Sequence, residues 1–189
     1  GVMPSVTAGP FDIGLYGKTL SDVPYCDAPD DGSSQVMDVY YPTQGEPPFP
    51  VVIFVHGGSW SGGDKSEGAW IQDRTELVSG GNMFISINYR LARKYIFPAM
   101  IEDVKCAIRS VRSNQNTLWA DPERIAVMGT SAGGHLVSLA GVAGPEAGWD
   151  VGDYPGVSSQ VNAVVDLYGA IALDDSIEGM AYIVRQNFG

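Results

Sequence analysis

Positive charge is scarce in this sequence: 11 lysines and arginines stand against 22 aspartates and glutamates, for a formal net charge of -11. Such a surface repels phosphate backbones and anionic lipid headgroups, so nucleic acid and membrane surfaces are both poor partners. The acidic residues are scattered, with Asp27, Asp30 and Asp31 the densest group, as expected of a solubilising surface. Cysteine is scarcer still. Only Cys26 and Cys106 occur, without C-x-x-C spacing or neighbouring histidines, so neither a disulfide framework nor a zinc site is expected. Cys106 falls on the apolar-leaning part of a helix, where a buried free thiol is the expected state; a single bond to Cys26 is open if the two approach in space. The compartment, cytoplasmic or secreted, is left open on that count. No apolar run approaches the ~20 residues that span a bilayer. The opening Gly1-Val2-Met3-Pro4 has neither a basic nor an apolar leader segment, as expected of a processed or engineered start.

What is present suits one core. A chain of 189 residues with 44% hydrophobic content reads as a single domain over residues 1–189. Residues 1–50 are turn-rich and hold two extended candidates, Asp12 to Leu20 and Gln35 to Tyr41. The three prolines between Thr43 and Pro50 make a loop. From residue 51 the pattern alternates. Val51 to Val55 is an uninterrupted β-branched and aromatic run, as in a strand covered on both faces. Ala69 to Ser79 then reads as a short helix, Met83 to Ile87 as a strand and Pro98 to Gln115 as a longer helix. In that helix Ile101, Val104, Ile108 and Val111 recur at helical spacing, with Glu102 and Asp103 near its start and Arg109 and Arg112 near its end. Arg124 to Met128 (strand, after an Asp121-Pro122 turn), Ala132 to Val142 (helix), Val161 to Leu167 (buried-type strand) and Ser176 to Gln186 (weaker helix) complete the series. Strands alternating with helices imply right-handed crossovers and a mostly parallel sheet, an α/β fold.

The pattern Gly129-Thr130-Ser131-Ala132-Gly133 fits G-x-S-x-G and sits at the junction of a predicted strand and helix. That is where a nucleophile elbow belongs: the turn is too sharp for side chains, and the serine hydroxyl is pushed clear of the sheet at a helix N-terminus. A second element, His56-Gly57-Gly58-Ser59-Trp60, directly follows the strand ending at Val55. Glycines there let backbone N–H groups face a substrate oxygen, and with the N–H of Ala132 they would form an oxyanion hole.

With these motifs the chain resembles the hormone-sensitive-lipase-like and acetyl-xylan or feruloyl esterase-like branches of the α/β-hydrolases. The resemblance runs from Asp38-Val39-Tyr40-Tyr41-Pro42 through His56-Gly57-Gly58-Ser59-Trp60, Gly63-Asp64-Lys65, Asn88-Tyr89-Arg90-Leu91 and Asp121-Pro122-Glu123-Arg124-Ile125 to Gly129-Thr130-Ser131-Ala132-Gly133-Gly134-His135-Leu136. It implies a three-layer sandwich and a serine carboxylesterase without cofactor or metal. Ser131 is then the nucleophile, and Gly57, Gly58 and Ala132 supply the oxyanion N–H groups. Trp60 is a candidate for the substrate pocket, with core packing the competing role. Ser59 stands where many relatives have a third glycine, which favours small acyl groups on sugars over long-chain lipids.

The family's order is Ser, then Asp or Glu, then His. This chain has two histidines. His56 precedes the nucleophile and is expected to brace the oxyanion loop. His135 lies one helical turn beyond Ser131, roughly 6 Å along the axis, and is expected to point into helix packing. Asp166 lies within a predicted strand and reads as structural; Asp174 and Asp175 read as capping or surface residues. Only 58 residues follow Ser131, so the expectation is an incomplete domain whose acid and histidine lie outside this chain. An unpaired sheet edge would then be hidden by dimerisation or by a C-terminal fragment. Two other readings remain at this stage, a non-catalytic ligand-binding protein on the same fold and a serine peptidase or amidase.

Overall fold

The computed structural model describes residues 9–27, 35–92, 94–171 and 173. The expected helix Ser176 to Gln186 lies outside the described residues, as do Asp30, Asp31, Asp174 and Asp175. Among these residues six strands form one sheet: β1 (Thr19–Pro24), β2 (Val36–Tyr40), β3 (Phe49–Val55), β4 (Met83–Ile87), β5 (Ala120–Thr130) and β6 (Ala163–Leu167). Their spatial order is β1-β2-β4-β3-β5-β6. The first two join antiparallel, whereas β4, β3, β5 and β6 run parallel. The α-helices among the described residues are α1 (Gln72–Ser79), α2 (Ala99–Ser113), α3 (Gln115–Leu118) and α4 (Ala132–Val142).

Alternation along each strand divides the apolar residues between two cores. Val51, Ile53, Val55, Ile85, Ile87, Ile125 and Val127 face α2 and α4, whose Ile101, Val104, Ile108, Leu136 and Val137 complete the larger core. Val52, Phe54, Phe84 and Met128 point the other way, into a smaller core that takes Leu77 and Val78 of α1. The result is a three-layer α/β sandwich whose middle strands, β3 and β4, are buried on both faces, as their unbroken apolar sequences imply.

Several expectations are corrected. Residues 13–15 form a 3-10 turn instead of strand, because Asp12 accepts the Gly14 N–H at 2.8 Å and caps it. The strand follows at Thr19 as an exposed edge, bulged at Asp22, whose φ is 56°. The segment expected as one helix from Ala69 is two pieces. A 3-10 stretch, Lys65–Trp70, starts from an Asp64–Glu67 capping box, and α1 begins at Gln72. Asp121-Pro122 belongs to β5. Strand β6 is exposed, with Val164 and Val165 at 39% and 37%, because among the described residues it pairs on one side only and α4 covers it in part.

Cys26 and Cys106 are joined, with Cα atoms 6.5 Å apart, so the expected free thiol is a disulfide. The bond ties the end of β1 to the middle of α2, two segments 80 residues apart that pack side by side. Beside it a buried network binds the same helix to the segment after β4. Asp103 accepts from Gln35 Nε2 at 2.5 Å, from the Arg90 backbone N–H at 2.7 Å and from Arg90 Nε at 2.9 Å. Lys105 and Arg109, one turn apart, hold the loop after α4 through Asp150, Ser159 and the carbonyls of Ala143 and Val151.

Candidate active site

Ser131 stands between the end of β5 and the start of α4 with φ 52° and ψ -116°. A positive φ in a residue with a Cβ costs about 1–3 kcal/mol and persists only where its surroundings impose it. Here the Ser131 N–H donates to the Leu167 carbonyl at 2.9 Å, and its own carbonyl accepts the His135 N–H at 3.0 Å. The close approach behind the turn needs glycine: a Cβ on Gly133 would lie 2.1 Å from the Val55 carbonyl oxygen and 2.5 Å from that of His56. The first turn of α4 is thus pressed against the end of β3, and Ser131 is left exposed above it.

Residues 56–60 lie alongside. A Cβ built on Gly57 would be 3.4 Å from the Ser131 Cβ, which brings the loop into contact with the elbow. Gly58, Ser59 and Trp60 all have positive φ, at 106°, 50° and 58°. This tight curl is closed by the Ser61 and Gly62 N–H groups, both donating to the Gly58 carbonyl at 3.0 Å. Among the described residues the N–H groups of Gly57, Gly58 and Ala132 have no backbone acceptor. The structure therefore brings together Ser131, Gly57, Gly58 and Ala132.

The two histidines lie elsewhere. His56 is fully buried, its Nδ1 2.7 Å from the Gly57 carbonyl and its ring stacked on Tyr89 at 4.4 Å. Facing a carbonyl, Nδ1 carries the proton, and Nε2 is buried with no partner among the described residues. Burial holds the His56 pKa below the usual histidine value, against the opposing pull of the Gly57 carbonyl. The His135 ring packs edge-on to Trp60 at 5.3 Å, and burial lowers its pKa too, with Asp166 opposing. Trp60 itself is 2% exposed and part of the larger core, so packing, not the lining of an open pocket, describes its place. Asp166 accepts the Gly169 N–H at 2.6 Å and the Ser138 hydroxyl at 3.0 Å, closing the turn after β6.

Tyr89 was not singled out by sequence reasoning, although it lies in the Asn88-Tyr89-Arg90-Leu91 motif. Its hydroxyl donates to the His56 carbonyl at 3.2 Å and approaches that of Gly57 at 3.4 Å. The signal available was position, an aromatic residue two places beyond a buried strand. Among the described residues no group of His, Cys, Asp or Glu could hold a metal ion, and no helix is long and apolar enough to cross a membrane.

Residues 37–183 match the BD-FAE family. The esterase LipC of Mycobacterium tuberculosis is 37% identical over 150 residues, covering 77% of this chain and 36% of its own length. Among solved structures, a truncated form of a carbohydrate esterase from gut microbiota superposes with a TM-score of 0.70 at 33% identity, covering 85% of this chain and 59% of that one. A metagenomic thermostable carboxylesterase, EstE1, gives 0.70 at 24% identity over 97% of this chain and 61% of its own, a likeness of fold. The chain spans about a third of the length of the curated relatives it matches, 36% and 34% for the first two.

Proposed function

Because the chain belongs to the BD-FAE family of α/β-hydrolases, and so to the homologues of serine carboxylesterases, we propose that it is the nucleophile-bearing part of a carboxylic-ester hydrolase acting on short acyl esters, those of sugars included. Ser131 Oγ attacks the ester carbonyl carbon while its proton passes to a histidine, backed by a carboxylate, that lies outside this chain. The carbonyl oxygen, now negative, takes hydrogen bonds from the N–H groups of Gly57, Gly58 and Ala132. Collapse expels the alcohol, which receives that proton, and leaves an acyl-serine. Water, deprotonated by the same histidine, then releases the acid and restores Ser131. This chemistry asks for no metal or cofactor.

The observation carrying this reading is the strained Ser131 backbone, exposed beside amides that the Gly57-Gly58 loop leaves without backbone acceptors. Neither His56 nor His135 suits the base, the first being held by the Gly57 carbonyl and the second packed on Trp60. Among the described residues β6 pairs on one side only, and its other side is where further strands of the same fold would be added. The test is turnover of a p-nitrophenyl ester series by the full-length protein. Acetate and butyrate should be cleaved and long acyl chains poorly. Ser131→Ala should lower kcat by about 10⁴-fold or more, since triad members act as a unit. A full-length protein that binds but never cleaves these esters would indicate a ligand-binding role on the same fold, and cleavage of anilides in preference to esters would indicate an amidase.

A further inference from the structure

The loop carrying Gly57 and Gly58 is exposed at Gly58, and a run of positive φ angles is not a conformation it would hold by itself. The Ser61 and Gly62 N–H groups close the curl at Gly58, but the peptide groups before it are also held from outside the loop. In a trans peptide the C=O and the following N–H point in opposite directions, so whatever holds the carbonyl of one residue also aims the amide of the next. Neither the His56–Gly57 nor the Gly57–Gly58 bond is among the cis peptides of the described residues. The His56 carbonyl therefore sets the direction of the Gly57 N–H, and the Gly57 carbonyl sets that of the Gly58 N–H.

Those two carbonyls are the ones that the Tyr89 hydroxyl meets, at 3.2 Å and 3.4 Å. Its one proton is shared between them, with the His56 oxygen the nearer acceptor, while His56 Nδ1 adds a second hold on the Gly57 oxygen. Tyr89 is in turn immobilised on both sides. The Tyr25 hydroxyl donates to the Asn88 carbonyl at 2.6 Å, the Arg90 N–H donates to Asp103 at 2.7 Å, and the Tyr89 ring, 1% exposed, stacks on His56. The segment also holds the far end of the loop, where the Ala92 N–H donates to the Trp60 carbonyl at 2.7 Å. Burial pushes the Tyr89 phenol well above its usual range, so it remains a donor throughout the neutral range.

We propose that Tyr89 is a positioning residue that turns the carbonyls of His56 and Gly57 inward, and thereby aims the amides of Gly57 and Gly58 toward the oxyanion formed at Ser131. The inference rests on the ester-hydrolase reading of that loop. Tyr89 touches no substrate; it acts through the two peptide groups. Phenylalanine in its place keeps the stack on His56 and removes only the hydroxyl.

The experiment compares wild-type full-length protein with Tyr89→Phe and with Ile108→Val, a change in the buried core on α2 that supplies a structural destabilisation without removing a hydrogen bond. With p-nitrophenyl acetate, Tyr89→Phe should lower kcat about 10- to 100-fold with KM within about threefold, below the ~10²- to 10³-fold of losing a donor outright. Ile108→Val should keep its kcat. In ¹H–¹⁵N spectra the amide signals of Gly57 and Gly58 should shift and broaden in Tyr89→Phe and stay in place in Ile108→Val. The proposal is overturned if Tyr89→Phe keeps kcat within about twofold and leaves both glycine signals unmoved. It is equally overturned if the two variants lose rate in proportion to their loss of melting temperature. A wild-type protein that cleaves no ester would sink the functional reading alone, and the glycine amide signals would still decide what Tyr89 does.

Discussion

The two halves of the candidate site are held by different kinds of force. At the elbow, backbone meets backbone: α4 is pressed so closely on β3 that Gly133 has no room for a methyl group, and Ser131 is locked by hydrogen bonds at both its N–H and its carbonyl. The Gly57-Gly58 loop is exposed at Gly58, and besides backbone hydrogen bonds at Gly58 and Trp60 it leans on side chains of residues remote in sequence, Tyr89 and through it Tyr25 and Asp103. Disturbing the elbow should therefore threaten the fold. Disturbing the loop should threaten the rate first.

The largest stability change expected comes from the brace beneath the loop. Replacing both cysteines by serine removes a link between segments 80 residues apart, and the chain-entropy model puts the loss at about 4.5 kcal/mol. Chemical denaturation of the double variant, or of the protein under reductant, measures it, and loosening should spread to Asn88 through Tyr25. Stability unchanged by reduction would mean that the bond contributes nothing to the brace.

Next in size is a paired test of the two glycines. Gly133→Ala forces a methyl group to within 2.1 Å of a backbone oxygen in the interior and should cost about 3 kcal/mol or more, or prevent folding. Gly58→Ala also clashes, at 2.3 Å from the Gly62 oxygen, and at φ 106°, but the loop can yield toward solvent. Its cost in stability should be nearer 1 kcal/mol, with a drop in kcat at least tenfold. Equal losses of stability would erase the contrast between the two halves.

Acid should weaken both halves by a smaller amount. Burial lowers the pKa of His56 and of His135, so on acidification the unfolded chain takes up a proton at each site, near its unperturbed value of about 6.5, before the folded chain does. Stability is thus complete above about pH 7 and declines as the pH falls below 6.5, by at most ~1.4 kcal/mol per unit for each histidine. Denaturation curves between pH 7.5 and 5 check this; His135→Gln should remove one share of the slope. Smallest is the strain at the nucleophile. Ser131→Gly relieves the positive φ and should stabilise the fold by about 1 kcal/mol while abolishing turnover. A destabilised glycine variant would mean that the backbone at 131 is not strained.

The same contrast sets what was legible in the sequence. The strand Met83 to Ile87 and the helix Ala132 to Val142 agree with the structure to the residue, because unbroken apolar runs and glycine-bounded helices are local signals. The elbow was readable for that reason: glycines, serine and the strand before them are contiguous. Strand β1 starts later than the sequence suggests because all but Val23 of it is exposed and it is bulged, so that it has no alternation to read. The bond between Cys26 and Cys106 and the reach of Tyr89 to the loop were hidden because each joins segments that only the folded sheet brings together. Strand β6 has the apolar sequence of a covered strand, Ala163–Leu167, and is exposed for want of a neighbour among the described residues.

The account is tested most directly by the structure of the full-length protein after reaction with a short-chain alkyl phosphonate. It predicts phosphorus bonded to Ser131 Oγ and the phosphoryl oxygen about 2.7–3.1 Å from the amide nitrogens of Gly57, Gly58 and Ala132. Phosphorus bonded to another residue, or an oxygen turned away from those amides, would contradict it.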